Sequence, residues 1–426
     1  LLKEVVLLRK GLIVLSAFCL LFLMATPALA DVNLNINGNS YQPRIQPRVE
    51  EGTTMVPVHV VGRILGVEIP ADGQELIIEK NGQKLTLTLD NKEAGLNGKT
   101  IALPVAPSRE NGEVMVPLRA VLDVFGAKID WQEQSSTVLV DYQEQRQGMS
   151  VEEMMAKSSE ALADYNTYKT KADMTQQMEV TNPEEANKTE KVDMKMNLDM
   201  AVQNDPVLVY GKTTVNMAVY GEDGNSLEPV NTEILLNEEG MYVTMPEQGW
   251  VKMTIPGMDI KALMEQAGGQ DPMASLKMLQ DAGALMSFGN DQQKNGESYW
   301  IINVTMGPDS VSRLIQDVLK KVPLPQTEVP ELDQVIAQVF KNMNADMVYS
   351  VWINQKNFLT DYMQMDSDIS LNMQVPADPE QPDNLLNMDM KMKQSAFYEI
   401  YDLGVPFTVP DVSQAVDMNE VLEKQE

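Results

Sequence analysis

Apolar and polar residues alternate over long stretches of the second half of the chain. Val192, Met194, Met196, Leu198, Met200 and Val202 are apolar, and Asp193, Lys195, Asn197 and Asp199 between them are polar. The same period runs through Met363, Met365, Ile369, Leu371, Met373 and Val375, and again through Leu386, Met388, Met390 and Met392. Successive strand side chains point to opposite faces, so this pattern predicts long antiparallel strands with one apolar and one wet face. Polar segments at 181–190, 221–229 and 376–384 read as their connecting loops. Before the strands, Ser150 and Glu153 have capping-box spacing, and Met154, Met155, Ala161, Leu162 and Tyr165 give the helix that follows an apolar face. The middle of the segment changes period. Asp271-Pro272 reads as an N-cap and first helical residue, with a helix over 273–288. Helices over 309–322 and 331–343 flank a proline-rich stretch, and a strand over 346–354 turns at Gln355-Lys356. Strands, then helices, then strands predict an α+β domain: a large antiparallel, half-barrel-like sheet with helices on one face.

The first half carries a duplication. Asn37-Gly38, Pro47, Gly52, Met55-Val56-Pro57, Gly66 and Ile69 recur 60 residues later as Asn97-Gly98, Pro107, Gly112, Met115-Val116-Pro117, Gly126 and Ile129. Each copy reads as strand, turn, short helix, strand, strand. Asn-Gly is a hairpin signal, proline is tolerated in a first helical turn, and Gly66 and Gly126 fall where helices end in a left-handed cap. One copy is too small to bury a core, so the two are expected to pack as one small α+β domain over 31–143. Residues 144–150 form a polar connector.

The run Met115-Val116-Pro117-Leu118-Arg119-Ala120, continued by Phe125-Gly126-Ala127-Lys128-Ile129-Asp130-Trp131, resembles the copper amine oxidase N-terminal-like ("stalk") domain. The first copy departs from that pattern: His59 stands at the arginine position, and Pro70-Ala71 at the Asp-Trp. The resemblance implies a non-catalytic module without the copper site of the oxidase. Residues 151–412 resemble the outer-membrane lipoprotein-carrier (LolA/LppX-type) fold and related Gram-positive secreted domains. The resemblance is carried by Tyr165-Asn166-Thr167-Tyr168, Gly240-Met241-Tyr242, Gly249-Trp250-Val251-Lys252-Met253, Val351-Trp352-Ile353-Asn354 with Leu359, and Tyr401-Asp402-Leu403-Gly404-Val405-Pro406 with Val409-Pro410. It implies a half-open barrel cupping an apolar cavity, and a cell-surface role in holding or passing lipid. Residues 413–426 are left as an acidic tail.

Composition adds an address. Lys3, Arg9 and Lys10 precede an apolar stretch from Leu12 to Met24, and Ala28-Leu29-Ala30 is a small-residue cleavage site. Residues 1–30 therefore read as a signal peptide, the apolar stretch being short of the roughly 20 residues of a membrane span. The one cysteine, Cys19, lies inside it. A cysteine-free mature chain must rely on its hydrophobic cores, which suits a secreted protein of a Gram-positive cell surface. The net charge of −29 disfavours nucleic acid as a partner.

The chemistry is sparse. One histidine and no mature cysteine exclude Cys–His and Ser–His–Asp catalysis and the usual N/S metal centre. Phosphate-loop and dinucleotide glycine motifs are absent from the sequence. Asp366 and Asp368 on one strand face, and Glu238-Glu239 in a turn, read as solvated surface. The loop beginning at Gly221 lacks calcium-loop spacing. His59 reads as a surface or helix-cap residue. The chain is accordingly expected to be no enzyme, with no catalytic residue, metal or cofactor.

Methionine remains: 25 of the 30 lie between 151 and 410. Its unbranched thioether adapts to irregular apolar shapes. The candidate ligand-binding residues are Met194, Met196, Met200, Met363, Met365, Met373, Met388, Met390 and Met392. Three readings stand. The face holds a lipid or other hydrophobic ligand; or the methionines are ordinary core in a structural or protein-interaction module of the cell surface with no small ligand; or Met-x-Met pairs such as Met194/Met196 and Met363/Met365, with Met388/Met390/Met392, bind Cu(I) as soft ligands. A cell-wall component is a further candidate partner.

Overall fold

The computed structural model describes residues 32–110, 112–181, 189–220, 225–226, 228–253, 272–321, 343–378 and 381–423. The predicted signal peptide, most of the 181–190 and 221–229 loops and all but the last residue of the predicted helix over 331–343 lie outside them; that last residue, Met343, opens a strand. Among the described residues no helix is long and apolar enough to cross a membrane.

The first copy comprises β1 (Asn33–Ile36), β2 (Asn39–Tyr41), β3 (Arg48–Glu50), β4 (Thr53–Pro57), α1 (Val58–Leu65), β5 (Glu75–Lys80) and β6 (Gln83–Thr88). The second repeats it as β7 (Glu93–Leu96), β8 (Lys99–Ala102), β9 (Ser108–Glu110), β10 (Glu113–Pro117), α2 (Leu118–Leu122), β11 (Lys128–Gln132) and β12 (Thr137–Asp141). Asn37-Gly38 and Asn97-Gly98 have the positive φ angles that a two-residue hairpin demands. Three four-stranded sheets result, ordered β11-β12-β1-β2, β3-β4-β10-β9 and β5-β6-β7-β8. Each is completed by strands of both copies, so neither copy closes alone. At the centre, β4 and β10 pair through the repeated Met-Val-Pro, with Val56 facing Val116. These valines, with Leu34, Ile64, Leu122 and Val138, lie in one core. The three-residue strands β3 and β9 are too short to show a period in the sequence.

Beyond the connector come α3 (Val151–Ala163), β13 (Thr167–Thr181), β14 (Thr189–Gln203), β15 (Leu208–Tyr220), β16 (Asn225–Ser226), β17 (Val230–Asn237), β18 (Gly240–Met245) and β19 (Gly249–Met253). They are followed by α4 (Pro272–Asp281), β20 (Leu285–Phe288), β21 (Gln292–Lys294), β22 (Glu297–Met306), α5 (Pro308–Lys321) and β23 (Met343–Asn354). The chain ends in β24 (Thr360–Asp378), β25 (Gln381–Tyr401), β26 (Val416–Asp417) and α6 (Met418–Glu423). One large sheet runs β20-β22-β23-β24-β25-β13-β14-β15-β17-β18-β19-β26, with the short β16 and β21 attached to β15 and β22. The capping box of α3 forms: the Glu153 amide donates to Ser150 Oγ at 3.2 Å, and the Ser150 amide to Glu153 Oε2 at 2.9 Å.

Four expectations change. The 376–384 segment, expected as a connecting loop, lies in β24 and β25 apart from 379–380, which are outside the described residues. Strand far outweighs helix, so the protein is more β-rich than an α+β label conveys. The helix expected over 273–288 stops at Asp281, because Gly283 takes φ +85° and the chain turns into β20, an edge strand paired with β22. The segment left as a tail returns to the sheet: β26 pairs in parallel with β19, and Val421 of α6 is buried.

The two halves dock. Leu285 of β20 is part of the N-terminal core. The last turn of α1 leaves backbone carbonyls without helical partners, and the second half supplies them. Ser287 Oγ donates to Arg63 O at 3.0 Å, and Asn303 Nδ2 donates to Gly66 O at 2.8 Å. Arg63 pairs with Asp346 of β23 at 3.0 Å and donates to the Tyr41 hydroxyl. Lys80, 1% exposed, donates to Phe288 O and pairs with Glu144 at 3.0 Å. Glu144 also pairs with Arg146, whose guanidinium lies over the Phe288 ring. The polar connector is thus pinned at the junction.

Candidate ligand-binding face

Register decides which side chains share a face. Met196 lies opposite Met174 of β13 and Val215 of β15; Met194 lies opposite Gln176 and Met217; Met200 lies opposite Thr170 and Gly211. On β24 and β25, Met363 faces Tyr398, Met365 faces Ala396, Met390 faces Leu371, Met392 faces Ile369, and Met388 faces Met373. Since β25 also pairs with β13, setting Met392 against Met178 and Met390 against Val180, all nine residues lie on one side of five neighbouring strands. Met373 is placed there by register alone, its side chain lying outside the described residues. They form a strip rather than a cluster. Six residues separate Met194 from Met200, about 20 Å along a strand at roughly 3.3 Å per residue.

The same side continues into a covered core. Through β23 and β22 it becomes Val351, Ile302, Val304, Met306, Trp300 and Ile353, all buried beneath α3, α4 and α5. Met154, Leu276 and Val311 of those helices belong to the same cluster. Across β24, β25, β13 and β14 the ten methionines with described side chains, eight of them candidates, are half-buried. The face is therefore one apolar surface in two states: helix-covered at the β20 end, partly open at the methionine strands.

Three tyrosines report on its polarity. Tyr349 and Tyr398 lie on this side, opposite Met365 and Met363, and Tyr168 lies opposite Val202. Burial alone pushes the Tyr349 hydroxyl up to about 12, and it raises Tyr168 and Tyr398 as well. A phenolate disfavoured by desolvation alone marks a poorly hydrated surface. One polar row crosses it, Gln176 beside Gln394 beside Ser367, and Gln394 Nε2 donates to Met174 Sδ at 3.2 Å. Sequence reasoning named none of Met174, Met178, Met217 or the tyrosines as ligand-binding residues. Met174 and Met178 stand four apart, and that shared parity was the available signal.

The opposite side is wet. Asn197 Nδ2 donates to Asp173 Oδ1 at 2.6 Å, and Lys393 lies 3.9 Å from Asp368. Asp366 and Asp368, considered as an acid–base pair, are exposed there. Met194 and Met200 also edge two clefts of about 650 and 410 Å³ whose other walls are mostly polar residues of this side. His59, expected at the surface, is half-buried on α1 with Nδ1 3.5 Å from Glu113. Among the described residues no group of three or more His, Cys, Asp or Glu side chains is arranged to hold a metal.

The family model of the copper amine oxidase N-terminal domain matches residues 35–140, a region that does not include a catalytic domain. No curated protein matches the chain. Among solved structures, the lipoprotein LppX of Mycobacterium tuberculosis is similar at 10% identity and a TM-score of 0.27, over 61% of this chain and 98% of that one. LprF of Mycobacterium bovis is similar at 13% identity and a TM-score of 0.28, over 61% and 96%. A further family model covers residues 150–414, more than half of the chain, and by that match the chain belongs to the family of unknown function DUF6612.

Proposed function

We propose that this protein is an exported, non-enzymatic binding protein that holds a lipid or other apolar ligand on the methionine face of its large sheet. One observation carries the reading: a single, mostly apolar face, crossed by one polar row, passes from a helix-covered core onto half-buried methionine strands. Half-covered apolar surface forfeits hydrophobic free energy of roughly 25 cal/mol per Å² left wet, and an acyl chain laid along the strip would recover it. Methionine suits that task because its side chain repacks around ligands of different shape at little cost. Cross-strand methionine pairs such as Met174–Met196 also follow from alternation alone, so they do not call for Cu(I). Export rests on the signal-peptide reading of residues 1–30. The test is titration of the full mature chain with the neutral apolar dye Nile red, followed by competition with fatty acids and phospholipids. Saturable, lipid-displaceable fluorescence is expected, and its absence would overturn the proposal.

A further inference from the structure

The duplication contains its own control. Between the β3–β4 hairpin of the first copy and the α2–β11 segment of the second lies an open groove of about 660 Å³. Trp131, 44% exposed, and Val49, 51% exposed, give it an apolar wall, and Thr53, Arg119, Asp123 and Asp130 line the rest. The repeat places a counterpart on the other side of the domain, and there the equivalent side chains are bonded to their neighbours. Arg109 stands where Val49 would, and its guanidinium donates to Ala71 O at 2.6 Å and Gly73 O at 3.1 Å. Glu113 stands for Thr53 and pairs with His59, which stands for Arg119. Ala71 replaces the tryptophan, and Arg63, in place of Asp123, turns to Tyr41 and Asp346. The equivalent positions of the two copies therefore carry different side chains, and the exposed indole is a property of the second copy.

An exposed indole beside carboxylates, a hydroxyl and a guanidinium matches one kind of ligand. The flat C–H face of a pyranose packs on an aromatic ring, its hydroxyls donate to Asp123 and Asp130, and they accept from Arg119. Two carboxylates in the groove and a chain charge of −29 disfavour an anionic ligand. A lining this rich in acceptors favours a ligand rich in hydroxyl donors over a peptide, which brings one backbone donor and one acceptor per residue. We infer that the open groove of the second copy binds a neutral glycan, stacked on Trp131. The inference stands apart from the apolar-ligand reading, since it uses the other domain.

The test is calorimetric titration of the full chain with cellohexaose and chitohexaose. Saturable binding of at least one is expected, weakened about tenfold or more by Trp131→Ala. Val49→Arg, which places at this groove the arginine that its counterpart carries, should block binding with Trp131 in place. If Trp131→Ala loses the wild-type far-ultraviolet circular dichroism, Val49→Arg carries the test. Failure of both glycans to bind, binding that survives Val49→Arg, preference for a sulfated glycan, or capture of an extended peptide instead would each overturn it.

Discussion

Two glycines at equivalent places in the repeat behave as a matched pair. Gly66 and Gly126 both follow a short helix with φ in the left-handed region. A Cβ at Gly126 meets open space, whereas one at Gly66 would be driven into the carbonyl of Phe288 across the junction. Gly126→Ala should therefore cost only the left-handed penalty, about 1–2 kcal/mol. Gly66→Ala should cost more and loosen the docking, seen by differential scanning calorimetry as one unfolding transition becoming two. His59 gives a second test, because it is the chain's one histidine. Burial, helped by Arg63 and opposed by Glu113, holds its pKa below the ordinary 6.5. On acidification the unfolded chain takes up that proton first, so stability is lost as pH falls through 6.5 towards the folded value, and is flat above it. His59→Gln should remove this part of the slope, measured as the difference between urea-unfolding free energies of the two proteins from pH 7.5 to 5.

At the scale of elements, one sheet face should respond in two ways. Ile302 lies fully buried under the helices, so Ile302→Ala should destabilise by about 2–5 kcal/mol. Met196 is half-buried on the uncovered strip. Met196→Asp is expected to leave a folded protein, by circular dichroism and urea midpoint, while abolishing Nile red binding. If Met196→Asp unfolds the protein as thoroughly as a charge placed at Ile302, the methionines are solid core. Much at this scale was legible, because period two fixes parity and parity fixes the face: the strands over 192–202, 363–375 and 386–392 lie within β14, β24 and β25. Less legible were β20, a four-residue strand hidden behind a helix signal, and the three-residue strands of the repeat. Alternation needs several residues before it can be told from chance.

For the whole molecule, the large sheet is faced by helices on one side and by the duplicated domain on the other. The docking was the part least visible in the sequence, because it is made by backbone carbonyls at a helix end and by side chains that look ordinary one at a time. Traces were there. Lys80 continues the inward parity of Leu76 and Ile78, an apolar slot that a lysine fills only with partners at hand. Arg63, facing Asp346, occupies the position that Asp123 holds in the free copy. What repetition conserves is the module, and what differs between the copies is what each one touches. The central claim is that the methionine face carries a ligand. It is tested most directly by native mass spectrometry of the full mature protein, purified from its exported form without detergent. Added mass that is extractable into organic solvent, and lost in Met196→Asp, is the result expected. A clean apo mass, unchanged after incubation with phospholipid and fatty-acid vesicles, would contradict it.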